Sequence, residues 1–139
     1  MARNAAQSLP KQPASSAALL ERARAALDTA VHCSDDGERF RMAHLAALRT
    51  AAAVLAERGR PNAARRKLIS VWVLIDAVAP EFSDWARYFA AGAATRAAVE
   101  AGARHAASAR AADDQVRAAS DFLRLVQQSL GMLATPLAS

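Results

Sequence analysis

His44 is the residue in this sequence best suited to acid–base chemistry, because an imidazole titrates near neutral pH. It lies in the stretch 38–49, ERFRMAHLAALR, which also contains Arg39, Arg41 and Arg49. Such a histidine can exchange a proton with a ribose 2′-hydroxyl or a leaving oxygen, while Arg39 or Arg41 holds a phosphate. The residues therefore predict one of two things: an RNA-cleaving site made of His44, Arg39 and Arg41, or a buried structural histidine.

The spacing of Arg39 and His44 favours the structural alternative. Five residues along an α-helix turn the side chain by about 140°, so the two do not share a face. They converge only if Arg39 swings back from the first turn or a second subunit completes the pair. On the structural interpretation, His44 is a buried polar residue that is hydrogen-bonded to a neighbouring helix.

A cluster of cationic side chains is the second candidate site. The chain has a net charge of +5, which is compatible with an acidic partner such as nucleic acid. Cationic side chains can contact the phosphates of a nucleic-acid backbone. The segment that contains them has no aromatic residue that could stack on a base. The alternative is an ordinary solvated loop. The predicted nucleic-acid-binding residues are Arg58, Arg60, Arg65, Arg66 and Lys67.

The composition predicts an all-α protein. Alanine supplies 39 residues, and it has the highest helix propensity because it loses no side-chain entropy on folding. No stretch shows the alternation of β-branched and aromatic residues that is typical of strands. We predict an up-and-down bundle of four long helices plus one short crossing helix. The expected spans are about 15–31, 36–58, 71–79, 81–102 and 108–130, the third being the short one.

The ends of these segments set the domain boundaries. We expect a flexible leader over 1–14, a single domain over 15–130 and a flexible tail over 131–139. Cys33 is the single cysteine, and no spacing of ligands predicts a metal site or a cofactor. No apolar run reaches the length needed to cross a bilayer, and no signal peptide is recognisable, so we expect a soluble cytoplasmic protein without membrane contact.

Two of the predicted long helices resemble those of a known superfamily. The segment 39–55, RFRMAHLAALRTAAAVL, resembles the second helix of HEPN domains (higher eukaryotes and prokaryotes nucleotide-binding). The segments ARAADD at 109–114 and FLRLV at 122–126 resemble their closing helix. The intervening SVWVL at 70–74 and APEFSDWA at 79–86 look like a small actinobacterial branch of that superfamily. The resemblance covers about residues 15–130.

The resemblance implies a helical bundle that often dimerises. Many such domains are RNA-cleaving toxins of toxin–antitoxin pairs, or partners of minimal nucleotidyltransferases. In the metal-independent ribonucleases among them, four to six residues separate an arginine from a following histidine, and the pair lies near the start of a C-terminal helix. Here Arg110 has no histidine after it, and the matching interval, Arg39 to His44, lies in an early helix. This favours a non-catalytic homodimer that binds RNA or a protein partner, with a ribonuclease as the alternative.

Overall fold

A computed structural model describes residues 15–59 and 69–131 of the chain, and every regular element in these two ranges is helical. The general prediction of an all-α helical bundle is thus confirmed. A single 3₁₀ turn, Pro80–Phe82, lies between the third and fourth α-helices. The α-helices in chain order are α1 Ser16–His32, α2 Asp36–Arg58, α3 Val71–Val78, α4 Ser83–Ala91, α5 Ala93–Glu100 and α6 Ala109–Ser129.

Side-chain caps explain where the helices begin. The Asp35 carboxylate accepts a hydrogen bond from the backbone N–H of Glu38 at 2.8 Å, which satisfies one of the free donors of the first turn of α2. Ser15, Ser70 and Ser108 cap α1, α3 and α6 in the same way. The predicted ends of α1, α2 and α6 lie within a residue of the observed ones.

α2 is the central helix of the bundle. It packs most extensively against α1 and then against α6, with α3 and α5 on its remaining sides. Small side chains such as Ala43, Ala47 and Ala51 are fully buried at these contacts, and they allow neighbouring helices to approach closely. The larger apolar side chains fill the space between α3, α4 and α6, where Phe89 and Phe122 are completely buried.

The predicted third long helix, 81–102, is interrupted. It consists of the 3₁₀ turn, α4 and α5, with a break at Gly92, whose N–H bonds the Phe89 carbonyl three residues back at 3.0 Å. A methyl group at Gly92 would lie 3.2 Å from the Phe40 ring, so α2 approaches the chain closely at this point. At the far end, Gly102 has φ of +97° and closes α5 with a Schellman motif.

α6 turns a seam of mostly buried side chains toward the bundle. Ala112, Ala119, Leu123 and Val126 are buried, whereas Val116 is half-buried. None of the described helices is long and apolar enough to cross a membrane.

Candidate functional site

His44 lies in the interior of the bundle. Its exposed fraction is 0%, and its Nε2–H donates a hydrogen bond to the Phe89 carbonyl oxygen at 3.0 Å. That carbonyl belongs to the last turn of α4, where the Gly92 N–H also bonds it. His44 therefore joins α2 to the break between α4 and α5, which is the hydrogen-bonded structural role considered for it from the sequence.

Aromatic rings surround the imidazole on three sides. Phe40 stacks against it with a centroid separation of 6.4 Å, and Trp72 and Phe89 meet it edge-on at 6.1 and 6.4 Å. The rings come from α2, α3 and α4, so three helices close around one polar side chain. Such a shell excludes water and any substrate from the imidazole in this conformation.

Burial lowers the pKa of His44 below its usual value, because the charged imidazolium loses its hydration. The hydrogen bond to the Phe89 carbonyl acts in the opposite direction, and the nearby Arg96 guanidinium lowers the pKa further. His44 is consequently a neutral imidazole at pH 7, with its proton on Nε2. The other ring nitrogen, Nδ1, is buried and has no hydrogen-bond partner among the described residues.

Arg39 has a different neighbourhood, at the start of α2. Its side chain is 12% exposed and forms ion pairs with Asp36 at 2.7 Å and Asp113 at 3.0 Å. It also donates to the carbonyl oxygen of Cys33 at 3.1 Å. The hydrogen bond to Asp36 is the main cause of its raised pKa. Arg39 thus connects the turn between α1 and α2, through the Cys33 carbonyl, with Asp113 on α6.

Arg41 is paired within its own helix. Its guanidinium donates two hydrogen bonds to the Glu38 carboxylate, at 2.7 and 2.9 Å, and this pairing raises the pKa of Arg41 and lowers that of Glu38. Arg39, Arg41 and His44 form no hydrogen bonds with one another. The three predicted catalytic side chains therefore have separate partners and are not assembled into one site within this chain.

Arg58 is the one member of the predicted nucleic-acid-binding cluster that the structure describes; Arg60, Arg65, Arg66 and Lys67 lie outside the described residues. It is the last residue of α2 and pairs with Glu81 at 2.5 Å. Its guanidinium also lies 5.9 Å from the centre of the Phe82 ring. Arg58 thus connects α2 to the 3₁₀ turn instead of lying on a loop as its assignment to that cluster suggested.

The positive charge of the chain does not come from the described part. Residues 15–59 and 69–131 contain 12 arginines, no lysine and all 13 acidic residues, which gives a net charge of 12 − 13 = −1. The remaining six cationic residues lie in 1–14 and 60–68 and account for the total of +5. Within the described ranges, no three His, Cys, Asp or Glu side chains come together as a metal site would require.

Sequence reasoning missed a groove between α4 and α6, which we call the α4–α6 groove. It has a volume of about 460 Å³, and its lining includes the aromatic side chains of Trp85 and Tyr88. Trp85 is half-buried and Tyr88 is 43% exposed.

The described helices form an all-α bundle around α2, as the resemblance to HEPN domains implied. Residues 30–127 match the family model described as HEPN_SAV_6107-like HEPN. Because this match covers most of the chain, the protein belongs to that family. No curated protein and no solved structure matches the chain.

Proposed function

We propose that this protein is a non-catalytic HEPN-family module that binds and assembles with a protein partner. The observation that carries the proposal is the position of His44, which is fully buried and bonded to the Phe89 carbonyl. A general acid or base must come within hydrogen-bonding distance of the substrate. In this conformation His44 is already used to hold two helices together.

The surroundings of the two candidate arginines support the same proposal. A phosphate ligand needs guanidinium N–H groups that are free to bind the anion. Arg39 uses its N–H groups on Asp36, Asp113 and backbone carbonyls, and Arg41 uses two on Glu38. A phosphate would have to displace these carboxylates, so the alternative of a metal-independent endoribonuclease requires a rearranged site or a second subunit.

The described surface offers RNA no excess of cationic side chains. RNA binding depends mainly on cationic side chains that replace counterions along the phosphates. The described ranges have a net charge of −1, and their acidic residues include three that border the α4–α6 groove. The RNA contact predicted for Arg60, Arg65, Arg66 and Lys67 lies outside these ranges and stays a prediction. A homodimer remains the expected assembly, and light scattering across a concentration series tests it.

The decisive experiment incubates the purified full chain with labelled single-stranded RNA in the presence of a metal chelator. We expect no cleavage by the wild type. The matched variants are His44→Gln, which keeps a buried donor for Phe89, and His105→Gln, which changes an exposed histidine. Cleavage by the wild type and by His105→Gln, but not by a folded His44→Gln protein, would establish the ribonuclease and overturn the proposal.

A further inference from the structure

α5 differs from the other helices in how little of it is buried. It is the only α-helix in the described ranges in which no residue is buried, although it packs along α2. Glycines lie at both ends, Gly92 before it and Gly102 two residues after it. α3 has the same length of eight residues but buries Trp72, Leu74 and Ile75. A helix with few buried side chains can open locally while the rest of a protein stays folded.

α5 is held on α2 by small apolar contacts. Near its start, Gly92 lies close to the Phe40 ring. Near its end, the two methyl carbons of Val99 lie 3.3 and 3.5 Å from the position of a Cβ at Gly37. The ion pair of Arg96 with Glu100 lies within α5, and no hydrogen bond or ion pair between described residues connects a side chain of α5 with α2. α5 can therefore separate from α2 without breaking a polar contact between them.

Buried polar atoms without partners lie beside α5. Within the described ranges they are His44 Nδ1, Arg96 Nε and Gln115 Nε2. Arg96 belongs to α5, and Gln115 Nε2 lies 3.6 Å from the position of a Cβ at Gly92. His44 is bonded to the Phe89 carbonyl, which also accepts from the Gly92 N–H. A buried polar atom without a partner costs free energy that contact with water recovers, so these atoms favour an open position of α5.

Protonation of His44 favours the same opening. The rings that surround the imidazole come from α2, α3 and α4 and carry no charge. The charged groups of the described ranges that act on it, Arg96 and Glu100, both belong to α5. Burial chiefly lowers the pKa of His44; Arg96 lowers it further, while the bond to the Phe89 carbonyl and Glu100 raise it. A proton on Nδ1 in the closed structure would add a buried N–H without an acceptor and a charge near a guanidinium.

We propose that α5 is a lid beside His44 and Gln115, which opens on acidification while the rest of the bundle stays folded. The lid turns about Gly92, and its far end at Val99 leaves Gly37. In the open position water reaches His44 Nδ1, and the proton binds there. Neither a partner nor a catalytic step is involved, so the lid goes beyond the proposed function and is independent of it.

Hydrogen–deuterium exchange of the full wild-type chain tests the lid, with α3 as the control helix of equal length. At pH 7.5 we expect the hydrogen-bonded amides of α5 to exchange about tenfold faster than those of α3, after correction for intrinsic rates. An imidazole with a pKa of about 6.5 in the open position raises the open fraction up to about tenfold between pH 7.5 and 5.5. Exchange of α5 should accelerate accordingly. His44→Gln should remove this acceleration, whereas His105→Gln, at an exposed position, should keep it.

A disulfide between α5 and α2 distinguishes movement of the whole lid from fraying within the helix. Val99→Cys places a sulfur near a methyl carbon that lies 3.3 or 3.5 Å from the Cβ position of Gly37→Cys, so this pair is within reach of a disulfide. Cys33→Ser is included so that the native thiol cannot compete. In the oxidised protein, α5 should exchange as slowly as α3 and without the pH-dependent acceleration. Reduction should restore both properties.

Four results would overturn the lid. Equal exchange of α5 and α3 in the wild type would mean that α5 opens only with the whole bundle. A response of α5 to pH that is absent, or that persists in a folded His44→Gln protein, would exclude protonation of His44 as the cause of opening. Failure of the cysteine pair to oxidise would contradict the contact between Val99 and Gly37. Unchanged exchange in the oxidised protein, a result that needs no substitution of His44, would indicate fraying alone.

Discussion

Acidification is expected to destabilise the bundle through His44. The folded protein holds this imidazole neutral, because burial lowers its pKa below the ordinary histidine value of 6.5. In the unfolded chain the same group takes up a proton as the pH falls through about 6.5. The unfolded state then binds more protons than the folded state, so the free energy of unfolding decreases as the pH falls.

The size of this effect follows from proton linkage. One extra proton bound by the unfolded state lowers the free energy of unfolding by about 1.4 kcal/mol for each pH unit. The loss begins near the unfolded pKa and levels off below the folded one. Between pH 6.5 and 5 it therefore amounts to at most about 2 kcal/mol. Above about pH 7.5 His44 contributes no pH dependence.

Urea unfolding followed by circular dichroism from pH 8 to 5 measures the effect at fixed protein concentration. Paired carboxylates also reduce the stability of the folded protein when they take up protons at low pH. The informative quantity is therefore the difference in the free energy of unfolding between the wild type and His44→Gln, which cannot titrate at this position. That difference should decrease as the pH falls. His105→Gln, at an exposed position, should follow the wild type. Parallel curves for wild type and His44→Gln would refute the assignment of His44 as a buried neutral group.

Three further sets of substitutions test other predictions. Gly92→Ala should lower the free energy of unfolding by about 1 kcal/mol, and with it the melting temperature, because the added methyl group would lie 3.2 Å from the Phe40 ring. A higher melting temperature for this variant would contradict the close packing. Arg39→Ala should lower the free energy of unfolding in urea by about 2 kcal/mol. A double-mutant cycle with Asp113→Ala should give a coupling energy of about 0.5 kcal/mol for this ion pair. Strictly additive losses in the two single variants would contradict the pairing. Arg65→Glu with Arg66→Glu should weaken RNA retention and flatten its salt dependence; the absence of RNA binding by the wild type at low salt would remove this prediction.

The helix ends were predictable because each depends on a local interaction. Ser15, Asp35 and Ser108 cap the first turn of their helices through side-chain oxygens that lie within three residues of the N–H groups they accept. Gly102 ends α5 because it takes up a positive φ. Such contacts are set by neighbours in the chain, so residue type and spacing are sufficient to find them.

The break at Gly92 and the groove beside α4 were not predictable in this way. The break accompanies contacts from α2, namely the approach of Phe40 and the hydrogen bond from His44 to Phe89. Gln115 is another example: it is 2% exposed although the seam pattern passes over it, and its amide lies beside Gly92. These features depend on residues far apart in sequence, and periodicity within one helix carries no information about them.

In the candidate site, too, the spacing of residues along the chain was visible in the sequence, whereas the neighbours of each side chain in the fold were not. The interval from Arg39 to His44 fits an Arg/His pair, but the turn of the helix directs the two side chains to different neighbours. Arg39 meets carboxylates on α2 and α6, where a guanidinium is stabilised as a charge. His44 meets aromatic rings and one carbonyl, where an imidazole is stabilised as a neutral group. Because the two environments favour opposite charge states, each residue stabilises its own helix contact.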